Sequence, residues 1–234
     1  MIVQYNGKNY NGFQKQPKGN TIQNEIENAL KTIFKQDILT IGSGRTDAGV
    51  SAYMQPVHFD IEKEIDTSKT QKSLNGILGA DIKVLSITPT NLHVRFDAKQ
   101  KTYQYKMYVS NIDLPLYVDA LRLSPNLDFK AMKKFLKMLV STHDFAGFQS
   151  KGSPTETTVR TIYNAKLVRD GIRLNFYITG NGFLYKMVRN IVGTMLKVGE
   201  HKIQLKDFKI TLFTTFKATN TAKPEHLYLM SVDY

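Results

Sequence analysis

The sequence predicts an α+β fold built from two consecutive halves, residues 1–100 and 101–234. Three observations carry that expectation. Segments with a side-chain period of two alternate with segments of helical period along the whole chain. Each half runs strand–helix–strand, although no sequence repeat relates the two. The 234 residues are long enough for one large domain or two small ones that each bury a core, and with 41% hydrophobic residues disorder is not the default expectation. Helices laid on one face of a sheet are the architecture such an alternation suggests.

Residues 1–6 read as a short strand entering a turn at Asn6-Gly7. Asn20 is placed to cap the next helix, with Gln23 at the capping-box position and Ile22, Ile26, Ala29, Leu30 and Ile33 on one face. The apolar run 38–41 leads as a strand into a glycine-bounded loop around Asp47, and a second strand is expected at 57–61. A helix over 67–78 and a strand over 82–87 complete the first half. The second half opens with an alternating strand, 102–109. Asp128 is expected to cap a helix that turns Met132, Phe135, Leu136 and Leu139 inward and Lys130, Lys133, Lys134 and Lys137 outward. Residues 159–168 and 172–179 predict a hairpin closed by Asp170-Gly171. Gln149 to Thr158, with Gly152 and Pro154, reads as a long surface loop. Helices over 183–198, ending at Gly199, and over 205–213 follow, and a strand over 227–234 closes the chain.

A formal net charge of +12 and a pI near 9.6 point to a polyanionic partner, because neutralising phosphates releases counterions. Of the 32 basic residues 25 are lysines, so solvated helix faces account for part of that excess. No apolar run approaches the roughly 20 residues that span a bilayer, and the amino terminus lacks the pattern of a secretory signal. The absence of cysteine excludes disulfides and thiolate metal sites and suits a cytoplasmic setting. The five histidines show no metal-ligand spacing.

Chemistry concentrates in Gly42-Ser43-Gly44-Arg45-Thr46-Asp47-Ala48-Gly49-Val50, which sets one carboxylate between an arginine and a small-residue turn. Three readings fit: a catalytic Asp47 presented to a ligand, an Asx-turn without chemistry, and a glycine-rich phosphate cradle. The cradle is the weakest, since neither G-x-G-x-x-G nor G-x-x-x-x-G-K-[ST] is present. Arg189 lies in an otherwise apolar helical stretch, where it is either buried against an anion or snorkelling to solvent. Tyr103 sits on an alternating strand beside Tyr105, and both fit core tyrosines at period two as well as a site.

The G-R-T-D-A-G-V run resembles the signature of the TruA-type tRNA pseudouridine synthases. Further segments match that family in the same order. They are Tyr5-Asn6-Gly7 with Gly12-Phe13-Gln14, Arg95-Phe96-Asp97-Ala98 followed by Tyr103-Gln104-Tyr105, and Met187-Val188-Arg189-Asn190-Ile191-Val192-Gly193. The ending Leu227-Tyr228-Leu229 with Val232-Asp233-Tyr234 also fits. The resemblance implies the pseudouridine synthase fold, two related α+β halves with joined antiparallel sheets flanking a basic cleft. It implies isomerisation of uridine at positions 38, 39 and 40 of the tRNA anticodon arm, with no cofactor and no catalytic metal. It assigns Asp47 as nucleophile, Arg189 as the cation paired with it, and Tyr103 to stack on the target uracil. Arg45 then contacts RNA phosphate and helps extrude the nucleotide. A cytoplasmic homodimer is the implied assembly, with the tRNA anticodon stem-loop as partner.

Pseudouridine formation breaks the bond from C1′ to N1, turns the base, and joins C1′ to C5. A single carboxylate suits that isomerisation, whereas glycoside hydrolysis uses a pair. A non-catalytic RNA-binding protein and a nucleoside or glycoside hydrolase are the alternatives. Asp144-Phe145 and Gly147-Phe148-Gln149 resemble the family's D-F-x-x-F segment and are read as packing. Three departures stand out: Ser51 where the family usually has His, Phe13 for the common Trp, and Glu225-His226 in place of a Gly-containing turn.

Overall fold

The computed structural model describes residues 1–152, 155–207, 218 and 220–234. They form two compact units, Met1–Lys99 with Tyr228–Tyr234, and Gln100–Leu227. Both are α+β, as the alternating periods predict.

The first unit is a four-stranded sheet in the order β4-β1-β3-β10, with two helices. Its strands are β1 (Ile2–Tyr5), β3 (Ser51–His58), β4 (Ile82–Ser86) and β10 (Leu227–Asp233), and a two-residue β2 (Ile41–Gly42) pairs with the end of β3. Strand β1 runs antiparallel to β3 and β4, while β10 joins β3 in parallel. Helix α1 (Ile22–Phe34) buries Ile22, Ile26, Ala29 and Leu30, the face its periodicity predicts; Ile33 is half-buried. Its cap is Thr21 rather than Asn20: the Thr21 hydroxyl accepts from Asn24 N at 3.3 Å. Gln23 is not a capping-box residue either. It is buried, donating to the Thr40 carbonyl and to Glu27. Helix α2 (Thr67–Ile77) is capped by Asp66 and packs on β4.

Strand β3 begins six residues before the expected 57, because partners remote in sequence hold it. Tyr5 faces Ala52 across β1, and Tyr228 faces Ser51 across β10.

In the second unit β5 (Gln100–Val109), β9 (Arg173–Gly180), β8 (Val159–Asp170) and β7 (Ser141–Asp144) follow one another antiparallel. The short β6 (Leu121–Leu123) lies parallel to β5. The β8–β9 hairpin turns at Gly171-Ile172, one residue later than predicted, since Asp170 and Arg173 still pair. Gly171 carries the positive φ of +57° that this tight turn requires. Helix α3 (Phe129–Leu139) buries the predicted Met132, Phe135, Leu136 and Leu139 and exposes its four lysines. Asp128 caps it, accepting from Ala131 N at 2.9 Å. Helix α4 (Met187–Gly199) packs against α3 and starts four residues later than expected. Residues 183–186 fit helical period, but Lys186 takes a left-handed φ of +57° and turns the chain into the helix. Of the helix expected over 205–213, Leu205–Asp207 is a single 3-10 turn, and the remainder lies outside the described residues.

Candidate active site

In the first unit Asp47 is carried by the eight-residue loop between β2 and β3, and the loop is held from several sides. Ser43 N donates to the Pro56 carbonyl at 2.9 Å, and the fully buried Gln55 side chain donates to the Gly44 carbonyl. Phe13 N donates to the Thr46 carbonyl at 3.1 Å, and Gly49 N to the Tyr10 carbonyl at 3.2 Å. Val50 N closes the turn onto the Asp47 carbonyl at 3.1 Å. The Thr46 and Tyr5 hydroxyls, both buried, lie 2.7 Å apart. This anchoring leaves Asp47 half-buried between exposed Arg45 and Ala48.

Two glycines make the approach of the 7–13 segment possible. Gly12, at φ +94°, would place a Cβ 2.8 Å from the Thr46 carbonyl oxygen, and Gly7 lies directly against the backbone of Val50. Phe13 is buried with its ring directly against Gly42. Ser51 is 4% exposed, and its hydroxyl accepts from Gly7 N at 3.0 Å. A buried hydroxyl therefore joins the start of β3 to the turn after β1.

The second unit holds Tyr103 and Arg189. Tyr103 lies near the start of β5, half-buried, with the Phe183 ring edge-on at 5.3 Å and 89°. Tyr105, two residues on, is fully buried and donates to the Lys223 carbonyl at 3.0 Å; burial pushes its hydroxyl pKa well up. It is a core tyrosine.

Arg189 stands in the first turn of α4, half-buried, and its Nε donates to the Ala222 carbonyl at 2.8 Å. The next residue, Asn190, is 2% exposed and fully engaged. Its Nδ2 donates to the Phe148 carbonyl at 2.8 Å and to Ser150 Oγ at 3.1 Å, and its Oδ1 accepts from the Thr221 hydroxyl at 2.6 Å. Phe145 and Phe148 are fully buried, so the D-F-x-x-F segment packs as expected. Its Asp144 accepts from Ala146 N and from the Thr158 hydroxyl. Glu225-His226 lies in a 3-10 turn, Pro224–His226, without a left-handed residue, which is why no glycine is required there. Among the described residues no three histidine or acidic side chains gather as a metal site, and no helix is long and apolar enough to cross a membrane.

The sequence profile of the tRNA pseudouridine synthase family matches residues 1–97 and 135–234, spanning both units and including the candidates Arg45, Asp47 and Arg189 but not Tyr103. The chain belongs to the tRNA pseudouridine synthase family. Similarity to individual relatives runs end to end. A tRNA pseudouridine synthase A of Anoxybacillus flavithermus is 38% identical over 99% of this chain and 96% of its own length. One from Streptococcus agalactiae serotype Ia is 37% identical over 99% and 93%. A chain in the crystal structure of a Cbf5-Nop10-Gar1 complex covers 99% of this chain and 48% of its own at 13% identity. Its TM-score of 0.42 is too low to argue from. The activity is thus that of a tRNA pseudouridine synthase, an isomerase whose substrate is RNA. Sequence reasoning did not foresee the contacts of Gln55 with Gly44, Ser51 with Gly7, Phe183 with Tyr103, or Asn190 with Phe148, Ser150 and Thr221 in this synthase. The partners lie 11 to 80 positions apart, beyond any local pattern.

Proposed function

We propose that the chain isomerises uridine to pseudouridine at positions 38, 39 and 40 of the tRNA anticodon arm, with Asp47 as the nucleophile. The observation that carries this reading is the anchoring of the Asp47 loop. Hydrogen bonds with residues 5, 10, 13 and 55 fix the backbone of the loop that carries a half-exposed Asp47 beside an exposed Arg45, which supports a pre-organised carboxylate.

Asp47 attacks C1′ as the C1′–N1 bond breaks, and the bond pair leaves with the uracil. The base turns, C5 takes the place of N1 at C1′, and the carboxylate departs. The proton on C5 is lost and one is gained at N1, so no water is consumed. Arg189 balances the charge of the carboxylate, and Tyr103 stacks on the uracil while it turns. Arg45, on the solvent side of the same loop, contacts backbone phosphate and holds the extruded nucleotide. The protein acts as a cytoplasmic homodimer, an isologous pair being the commonest closed assembly. Light scattering is then expected to give twice the 26.6 kDa chain mass.

The test is incubation with an unmodified tRNA transcript bearing uridines at 38, 39 and 40, followed by carbodiimide-blocked primer extension. Stops are expected at those positions. Stops confined to another arm would refute the site assignment, and release of free uracil would point to a hydrolase.

A further inference from the structure

Arg189 and Asn190 are consecutive residues of α4, and both hold the segment 220–222 beside the helix. Ala222 N donates to the Arg189 carbonyl at 3.1 Å, and Arg189 Nε donates back to the Ala222 carbonyl at 2.8 Å. The guanidinium is planar, so a bond at Nε sets the plane in which its other donors point. That bond orients the arginine only as well as Ala222 itself is fixed. Besides the Ala222 N–H bond to Arg189 and the Tyr105 bond to the adjoining Lys223 carbonyl, two contacts with α4 hold the segment. The Thr221 hydroxyl donates to Asn190 Oδ1 at 2.6 Å, and Gly193, one turn along, lies directly against the Asn220 carbonyl. Asn190 in turn has no freedom, since its amide is bound to the Phe148 carbonyl and the Ser150 hydroxyl.

We propose that the Thr221–Asn190 hydrogen bond is a latch that positions the Arg189 guanidinium for pseudouridine formation. Thr221 and Asn190 are positioning residues: neither touches the uridine, and both act through the arginine. The inference rests on the reading of Arg189 as the cation serving Asp47. A displacement of about 1 Å at a reacting group can cost on the order of a hundredfold in rate. Loss of the latch therefore belongs in the chemical step and not in tRNA affinity.

Thr221 is exposed, so Thr221→Val removes the hydroxyl at constant shape without opening a cavity. With the unmodified tRNA transcript at saturation, the single-turnover rate is expected to fall about tenfold or more, with tRNA affinity unchanged within about twofold. Thr221→Ser, which keeps the donor, should restore the rate, and Thr221→Ala repeats the test should the valine variant melt early. Arg189→Met is measured alongside, alone and with Thr221→Val. Losses that do not add in the double variant show that Thr221 acts through Arg189. An impaired Arg189→Met with a normal Thr221→Val overturns the latch and leaves the assignment of Arg189 standing. Additive losses overturn it as well. An Arg189→Met variant of normal rate overturns both.

Discussion

The Tyr5 and Thr46 hydroxyls lie 2.7 Å apart in the core of the first unit, one residue before Asp47. Tyr5 is the last residue of β1, flanked by β3 and β4, so the bond ties the loop to the sheet at the point where the carboxylate leaves it. Tyr5→Phe keeps the ring and its packing on Phe13 while removing the bond. A stability loss of about 1 kcal/mol is expected, read from the urea midpoint, together with a several-fold fall in single-turnover rate. Unchanged turnover in a destabilised variant would mean that the loop needs no such tie.

Ser51 yields a second expectation. Its hydroxyl is the acceptor for the buried Gly7 N–H, and Gly7 has no room for a side chain against Val50. Ser51→Ala leaves that N–H without a partner and is expected to cost about 1–3 kcal/mol. Ser51→Thr, which retains the acceptor, should cost less. Equal losses in the two variants by thermal or urea melting would count against the hydrogen bond as the cause.

Acid sensitivity follows from His226. The imidazole is 7% exposed beside Tyr105, and burial holds its pKa below the ordinary value, against smaller upward pulls from the Asp119 backbone, Glu225 and Asp119. The unfolded chain therefore takes up its proton first, below a pH of about 6.5. Stability falls from there until the pH passes the folded-state value. His58 and His143 are shifted in the same direction by burial. His226→Phe should thus reduce, without abolishing, the drop in urea midpoint between pH about 7.5 and about 5. An identical drop in variant and wild type would assign the acid loss elsewhere.

How far these features were legible depends on the distance over which each is determined. Helix α3 could be read in full because its cap and its apolar period are local: Asp128 sits three residues before the amide it accepts from. The start of β3 could not, since Ser51 and Ala52 are strand residues by virtue of β1 and β10, far away in sequence. Strands β6 and β7 escaped notice for the same reason, being only three and four residues long and made by their neighbours. Helix α4 is shorter than its apolar run suggests, because such a run does not reveal the left-handed turn at Lys186. Asp47 and Arg45 share one short segment, so their adjacency is local and legible in the sequence. The residues that hold Asp47, Tyr103 and Arg189 in place lie across the sheet or on distant segments, and only folding brings them together.

Arg45 and the net charge of +12 give a prediction on binding. Counterion release makes tRNA affinity fall at least about tenfold between about 50 and about 200 mM salt. Arg45 is exposed, so Arg45→Ala is expected to leave folding unchanged while weakening both binding and turnover. Filter binding across a salt series, with both proteins, measures this. Affinity independent of salt would contradict an electrostatic contact, and an Arg45→Ala variant equal to wild type would remove Arg45 from it.

The central claim is that Asp47 performs the chemical step. Asp47→Asn keeps the size and much of the hydrogen bonding but removes both the negative charge and the nucleophile. The most direct measurement is single-turnover pseudouridine formation at saturating tRNA, with folding checked by melting and tRNA affinity measured separately. The account predicts a folded variant that binds tRNA as wild type does and forms no detectable pseudouridine. Near-normal turnover by Asp47→Asn would contradict it and place the nucleophile on another residue.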